Sequence, residues 1–223
     1  TDERLLALEV LGRHRNRLRK GHHAGNQFRL VIRDVRERSE DDLQELFDEL
    51  VRRGVPNYFG PQRQGRSGTN FQLGAELLQD AARRNKMPRN KRIWFMNAYQ
   101  SHVFNRIVAK RIESIDRVFL GDWAMKSDNG ACFPVEQPEV EQPRADRFGI
   151  SATGPLFGAR APWATGVPGD IEQAVVAELG TTPELLSKAG AECGFRGERR
   201  ALRVRLNELS WSLEGTVLTL GFW

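Results

Sequence analysis

Cysteine is scarce, long apolar runs are missing and histidine is thinly scattered, and each lack removes a class of protein. Two cysteines in 223 residues, Cys132 and Cys193, are too few for a disulfide framework. The four histidines are dispersed and, with those cysteines, offer no zinc spacing. A reducing cytoplasm is the simpler home for such a chain. No apolar run approaches the roughly 20 residues of a membrane span, and no signal peptide is visible. A phosphate-cradling P-loop is missing too. Gly60 to Ser67 reads G-x-x-x-x-G-R-S, but Arg66 stands where a Lys must reach the phosphates, and Pro61 removes an N–H from the cradle.

What is present fits a core with a basic surface. The length of 223 residues allows one or two domains, and 39% apolar residues, beside 28% charged, are enough for a core. The net charge is +5, dominated by Arg, and the pI of about 9.6 fits a polyanionic partner. The chain begins Thr-Asp-Glu and stops in the apolar run Thr219 to Trp223, so a fragment of a longer protein is expected.

The stretch Val55 to Gly68 organises the rest. Pro56 and Pro61 fix φ and remove two donors, while Gly60, Gly65 and Gly68 permit positive φ, so the segment is a shaped loop. It displays two carboxamides (Asn57, Gln62), two aromatic faces (Tyr58, Phe59) and a guanidinium (Arg63). That set suits reading and stacking a base beside a phosphate. The alternative is that Tyr58 and Phe59 plug the loop onto the core.

Around it the chain reads as alternating elements. Arg13, Arg15, Arg17 and Arg19 recur at two-residue spacing, which on a strand lines one face; with Lys20 they form either a phosphate-tracking stripe or a solvated edge. Phe28, Leu30 and Ile32 predict a strand with one face in the core. Ser39 caps a helix carrying Leu43, Leu46, Phe47 and Leu50, ended by Gly54. Further helices are expected over Asn70 to Arg84 and Lys91 to Ile112, with a hinge near Pro88. Six of the ten prolines fall between Leu120 and Gly169, predicting turns and short strands with a hairpin at Asp128-Asn129-Gly130. Glu136, Glu139 and Glu141 match no metal-ligand spacing and read as a solvated acidic loop. Asp170 caps a helix through Leu179, Thr182-Pro183 starts another ended by Gly190, and Leu202 to Trp223 returns as strands turning at Glu214-Gly215. His102 reads as a structural histidine.

Two segments carry a specific resemblance. Asn57-Tyr58-Phe59-Gly60-x-Gln62-Arg63-x-Gly65 resembles the N-Y-F-G-x-Q-R-F-G signature of the TruD family of tRNA pseudouridine synthases, with Gln64 in place of the usual Phe. Ala98-Tyr99-Gln100-Ser101-His102-Val103-Phe104-Asn105 is similar to that family's S-A-Y-Q-S-H-L-F-N helix, with Asn97 replacing the first Ser. The resemblance implies an α+β fold: a pseudouridine-synthase catalytic domain with a mixed antiparallel sheet, here residues 1–83 and 201–223, interrupted by an inserted α+β domain at 84–200. It implies an isomerase acting on one uridine of tRNA, expected at position 13, without metal or cofactor. In such enzymes an aspartate attacks the target nucleoside, the glycosidic bond breaks, the uracil turns, and C5 is joined to the ribose. The target base must leave its stack, at about a few kcal/mol.

The substrate-binding residues so implied are Asn57, Phe59, Gln62, Arg63, Gln100 and Ser101. Asn57 is expected to bond near the uracil or the aspartate, and Phe59 to pack against the flipped base. The chain departs from the family in one respect. The aspartate's G-x-K-D-x-x-A-x-T-x-Q motif is not found between Thr1 and Trp223, and Asp34, Asp122 and Asp170 read as capping or surface residues. The expected partners are therefore tRNA and a missing N-terminal part of the same protein, and the chain alone is expected to be inactive. The alternative is a non-enzymatic RNA-binding domain that lost the aspartate.

Overall fold

A computed structural model describes residues 12–13, 25–36 and 38–223. Among them the fold is α+β, and all strand pairings are antiparallel. The order is β1 (Phe28–Ile32), α1 (Glu40–Arg53), β2 (Val55–Pro56), a 3-10 turn (Pro61–Gln64), α2 (Asn70–Gln79), α3 (Ala81–Lys86) and α4 (Arg89–Lys110). Then come β3 (Trp123–Lys126), β4 (Cys132–Pro134), α5 (Pro138–Asp146), β5 (Ile150–Leu156), α6 (Gly166–Glu178) and α7 (Pro183–Glu192). Strands β6 (Glu198–Ala201), β7 (Arg203–Val204), β8 (Ser210–Glu214) and β9 (Val217–Phe222) close the chain.

These elements fall into two compact units, Thr1–Arg36 with Glu208–Trp223, and Glu37–Asn207. The first holds a three-stranded sheet ordered β1-β9-β8, with Phe28 opposite Phe222 and Ile32 opposite Leu218. Its hairpin turns at Gly215, φ 61°, where the Glu-Gly pair predicts it. The expected core face of β1 is not observed, since all five of its residues are exposed. The described residues of this unit add no helix or second sheet to cover it.

In the second unit α1 starts as its sequence predicts. The Ser39 hydroxyl accepts from the Asp42 N–H at 3.0 Å, and the Asp42 carboxylate accepts from the Ser39 N–H at 3.1 Å. Gly54 ends the helix at φ 81°, and a Cβ there would lie 2.8 Å from both the Phe148 ring and the Val204 carbonyl. Backbone conformation and close approach both demand glycine. The core is built around α4. Met96, Tyr99, Val103, Phe104, Ile107 and Val108 pack with Leu77 and Leu78 of α2, Ile150 of β5, Val175 of α6 and Leu186 of α7. Each such side chain contributes about 1.5–3 kcal/mol by leaving water. A sheet ordered β4-β3-β5-β6 and the short β2-β7 ladder flank this core.

Several elements differ from expectation for local reasons. The helix expected over Asn70 to Arg84 is two, because the Asp80 carboxylate caps a new start by accepting from the Arg83 N–H at 2.9 Å. The stretch read as an acidic loop leads into α5, whose first turn holds Pro138, Glu139 and Glu141. Proline is tolerated at a first helical position, and acids there suit the helix dipole. Helix α6 starts at Gly166, four residues before Asp170, and Gly190 lies buried inside α7. A Cβ at Gly190 would sit 2.8 Å from the Gly158 Cα, so this glycine allows close packing and does not end the helix. The compact units are bounded at 36/37 and 207/208, and within the second the loop after β2 is bonded to α4 and β6.

Candidate functional site

The loop from Asn57 to Gly65 is pinned at three places. The Asn57 N–H donates to the Leu202 carbonyl at 2.8 Å, extending the β2-β7 ladder. Its carboxamide is held at both ends, since Nδ2 donates to the Ala201 carbonyl at 2.9 Å and Oδ1 accepts from Arg200 Nη2 at 2.6 Å. Asn105 of α4 clamps Phe59: its Oδ1 accepts from the Phe59 N–H at 2.8 Å, and its Nδ2 donates to the Phe59 carbonyl at 2.9 Å. Further on, Gln64 Nε2 donates to the Ala98 carbonyl at 3.2 Å, and Gly65, φ 74°, ends the 3-10 turn. The main chain of the loop is thus fixed before any ligand arrives.

Phe59, Gly60, Gln62, Arg63 and Trp94 line an open depression of about 510 Å³. The Phe59 ring meets Phe104 edge-on at 5.6 Å, and two guanidiniums lie over it, Arg200 at 4.2 Å and Arg63 at 5.2 Å. Trp94 is 53% exposed and stacks on Phe95. Arg200 is half-buried, and burial first, then the nearby charge of Arg63, pulls its pKa below the usual guanidinium value. Neither Arg63 nor Arg200 pairs with a carboxylate among the described residues. Aromatic faces, a carboxamide and two cations, brought together from the loop, α4 and β6, can hold a planar base next to an anion.

The structure gathers only part of the predicted set. Phe59, Gln62 and Arg63 share the depression. Asn57 lies behind it with both carboxamide ends turned to the scaffold. Gln100 donates to the Phe157 carbonyl at 2.7 Å and lines a separate depression with Asn97, Arg196 and Glu198. Ser101 is 2% exposed and donates back to the Asn97 carbonyl at 2.8 Å. His102 stacks on Phe71 at 4.1 Å, and burial, then Arg106, lowers its pKa. Of the basic stripe, Arg15, Arg17, Arg19 and Lys20 lie outside the described residues, and Arg13 is exposed. Asp122, read as a capping or surface residue, is fully buried and paired with Arg111 at 2.9 Å, and Asp170 lies within α6. Among the described residues no group of three His, Cys, Asp or Glu side chains could hold a metal ion.

Sequence reasoning does not single out Arg200, Trp94 or the clamp by Asn105. Asn105 stands in the quoted motif without a role of its own, and Trp94 falls in the helical stretch Lys91 to Ile112 with nothing to single it out. Arg200 had no local signal to separate it from its neighbouring arginines.

Fold and site together define an α+β protein whose rigid loop sets an aromatic ring beneath two guanidiniums. The profile of the tRNA pseudouridine synthase D (TruD) family matches residues 4–85 and 81–223. A tRNA pseudouridine synthase D of Syntrophotalea carbinolica is 35% identical over 270 aligned residues, covering 94% of this chain and 68% of that protein. One from Thermus thermophilus is 41% identical over 213 residues, covering 95% of this chain and 56% of the relative. The crystal structure of a Methanosarcina mazei protein of the same name superposes with a TM-score of 0.79 at 21% identity, over 96% of this chain and 68% of that one, a likeness of fold. The chain belongs to the tRNA pseudouridine synthase D family and spans between about half and three quarters of the length of the curated relatives it matches.

Proposed function

We propose that this chain forms the substrate-binding part of a cytoplasmic enzyme that converts one tRNA uridine, at position 13, to pseudouridine. The observation that carries the reading is the Phe59 depression, where an aromatic face lies under two guanidiniums that have no carboxylate partner among the described residues. Phe59 and Trp94 offer faces for the flipped base, and Gln62 a carboxamide for its edge. Arg200 supplies the positive charge that keeps a nucleophilic aspartate ionised beside the base. That aspartate lies on a part of the parent protein outside these 223 residues. Arg63, on the rim, meets the phosphate of the flipped nucleotide.

Tritium release from tRNA carrying 5-tritiated uridine tests the reading. The full-length parent should release tritium and the isolated 223-residue chain should not. Turnover by the isolated chain would place the nucleophile within it and overturn the assignment. A parent that binds tRNA without turnover would establish the non-enzymatic RNA-binding alternative.

A further inference from the structure

A second depression of the Glu37–Asn207 unit, about 440 Å³, opens where the β3-β4 hairpin meets β5 and the β6-β7 segment. Lys126, Ser127, Ser151, Arg203, Arg205 and Asn207 form its polar wall, and no aspartate or glutamate lines it. Its cations are of two kinds. Arg203 is 3% exposed and donates to the carbonyls of Arg53 and Ala145 at 2.5 and 2.6 Å. Those acceptors are neutral, so its charge is bonded to no carboxylate, and its Nε has no hydrogen-bond partner among the described residues. Asp116 and Asp146 act on it only through space, and Arg53 opposes them. Arg205 is exposed and Lys126 half-exposed, and neither pairs with a carboxylate among the described residues.

The wall is also stiff. Phe148 adopts φ 58°, a region a bulky side chain rarely enters, and its ring lies close against Gly54. Arg203 sits 4.3 Å and Arg205 5.6 Å from the centre of that ring, which presents the Arg205 guanidinium at the rim. Ser127 is already donating to the Phe148 carbonyl, and Ser151 to the Ala152 carbonyl. Lys126, Arg205 and the carboxamide of Asn207 are therefore the donors of this wall that have no hydrogen-bond acceptor among the described residues, Lys126 lying 6.0 Å from the centre of the Phe133 ring. A concave site with free donors, three cations and no acid selects a multiply charged oxyanion.

We infer that this depression seats a phosphate of an RNA backbone, held by Lys126, Arg205 and Asn207. The inference rests on the tRNA reading above. Ala201 of this wall directly follows Arg200, whose guanidinium lies over Phe59, so β6 contributes to both places. Arg205 and Lys126 then position the nucleic acid and take no part in the chemistry.

The test compares tRNA binding by the full-length parent and its Lys126→Gln/Arg205→Gln double variant across a salt series. Losing the one phosphate seated here should reduce the slope of log affinity against log salt by roughly 0.7 to 0.9. The melting temperature and the turnover at saturating tRNA should not change, and Lys126→Arg should bind as the wild type does. An unchanged slope and affinity in the double variant overturns the site. Inorganic phosphate that binds the wild type but not the variant, while the two bind tRNA with the same affinity and salt slope, would assign the site to free phosphate and overturn the backbone reading. The slope comparison needs only binding, so a parent without turnover refutes the proposed reaction and leaves this result standing.

Discussion

Replacing Arg200 with Met separates the chemistry of the site from its architecture. The guanidinium donates to Asn57 Oδ1 at 2.6 Å and lies 4.2 Å from the centre of the Phe59 ring. A hydrogen bond from a charged donor contributes about 1.5–3 kcal/mol, and a partly exposed cation–ring contact about 0.5–1 kcal/mol. Against this, burial disfavours the charge itself, and Met retains much of the packing made by the arginine stem. The net loss should be about 1–2 kcal/mol, a fall of roughly 2–8 °C in melting temperature for a domain of this size. An arginine that only braced Asn57 would do no more than that. If its charge stabilises an ionised nucleophile, kcat per folded molecule should fall by about 10² to 10³, the scale for one oriented electrostatic group in a dry site. Tritium release by the full-length parent, normalised to folded protein, reads this directly. Arg200→Lys keeps the charge but not the planar fork and should recover part of the loss. A Met variant with near-normal kcat and a lowered melting temperature would refute the reasoning and make Arg200 a brace.

Two further outcomes follow from the same geometry. Asn105→Ala removes both bonds of the clamp on Phe59, leaving an N–H and a carbonyl unpaired, and should cost about 2–4 kcal/mol in chemical denaturation, unless water replaces the carboxamide and the loss stays under about 1 kcal/mol. His102 is held below its ordinary value of 6.5, so it is neutral in both states above that pH, and acid favours the unfolded chain; stability should fall as pH drops from 6.5 towards the folded value, and His102→Gln should flatten that part of the profile.

Much of the fold was legible because its signals are local. Ser39 and Asp42 cap α1 from three residues apart, and Gly54 closes that helix with its own backbone. The hairpin turns at Asn129-Gly130 and Glu214-Gly215 are equally local. The misreadings arose where a local preference depends on position or on distant packing. Pro138 weakens a helix only beyond its first turn, so α5 was hidden by residues that suit its start. Gly190 resembled a helix terminator, but its role depends on Gly158, thirty-two residues earlier in the chain.

The same distinction divides the site. The loop's composition shows that it is rigid and that Phe59 and Arg63 are presented, since prolines and glycines act within a few residues. It cannot show what holds the loop, because the clamp on Phe59 comes from 46 residues away and the brace on Asn57 from 143. A carboxamide between Pro56 and Phe59 therefore reads as a group offered to substrate, when both its ends are occupied by β6. In the proposed site the polar group aimed at the chemistry is Arg200, the bonding partner of Asn57. Asn57 sets the angle of that guanidinium over Phe59, and any loss of turnover in an Asn57 variant is expected to pass through Arg200. An Asn57→Ala change should therefore lose little further turnover in an Arg200→Met background, the non-additivity expected of two residues acting as one unit.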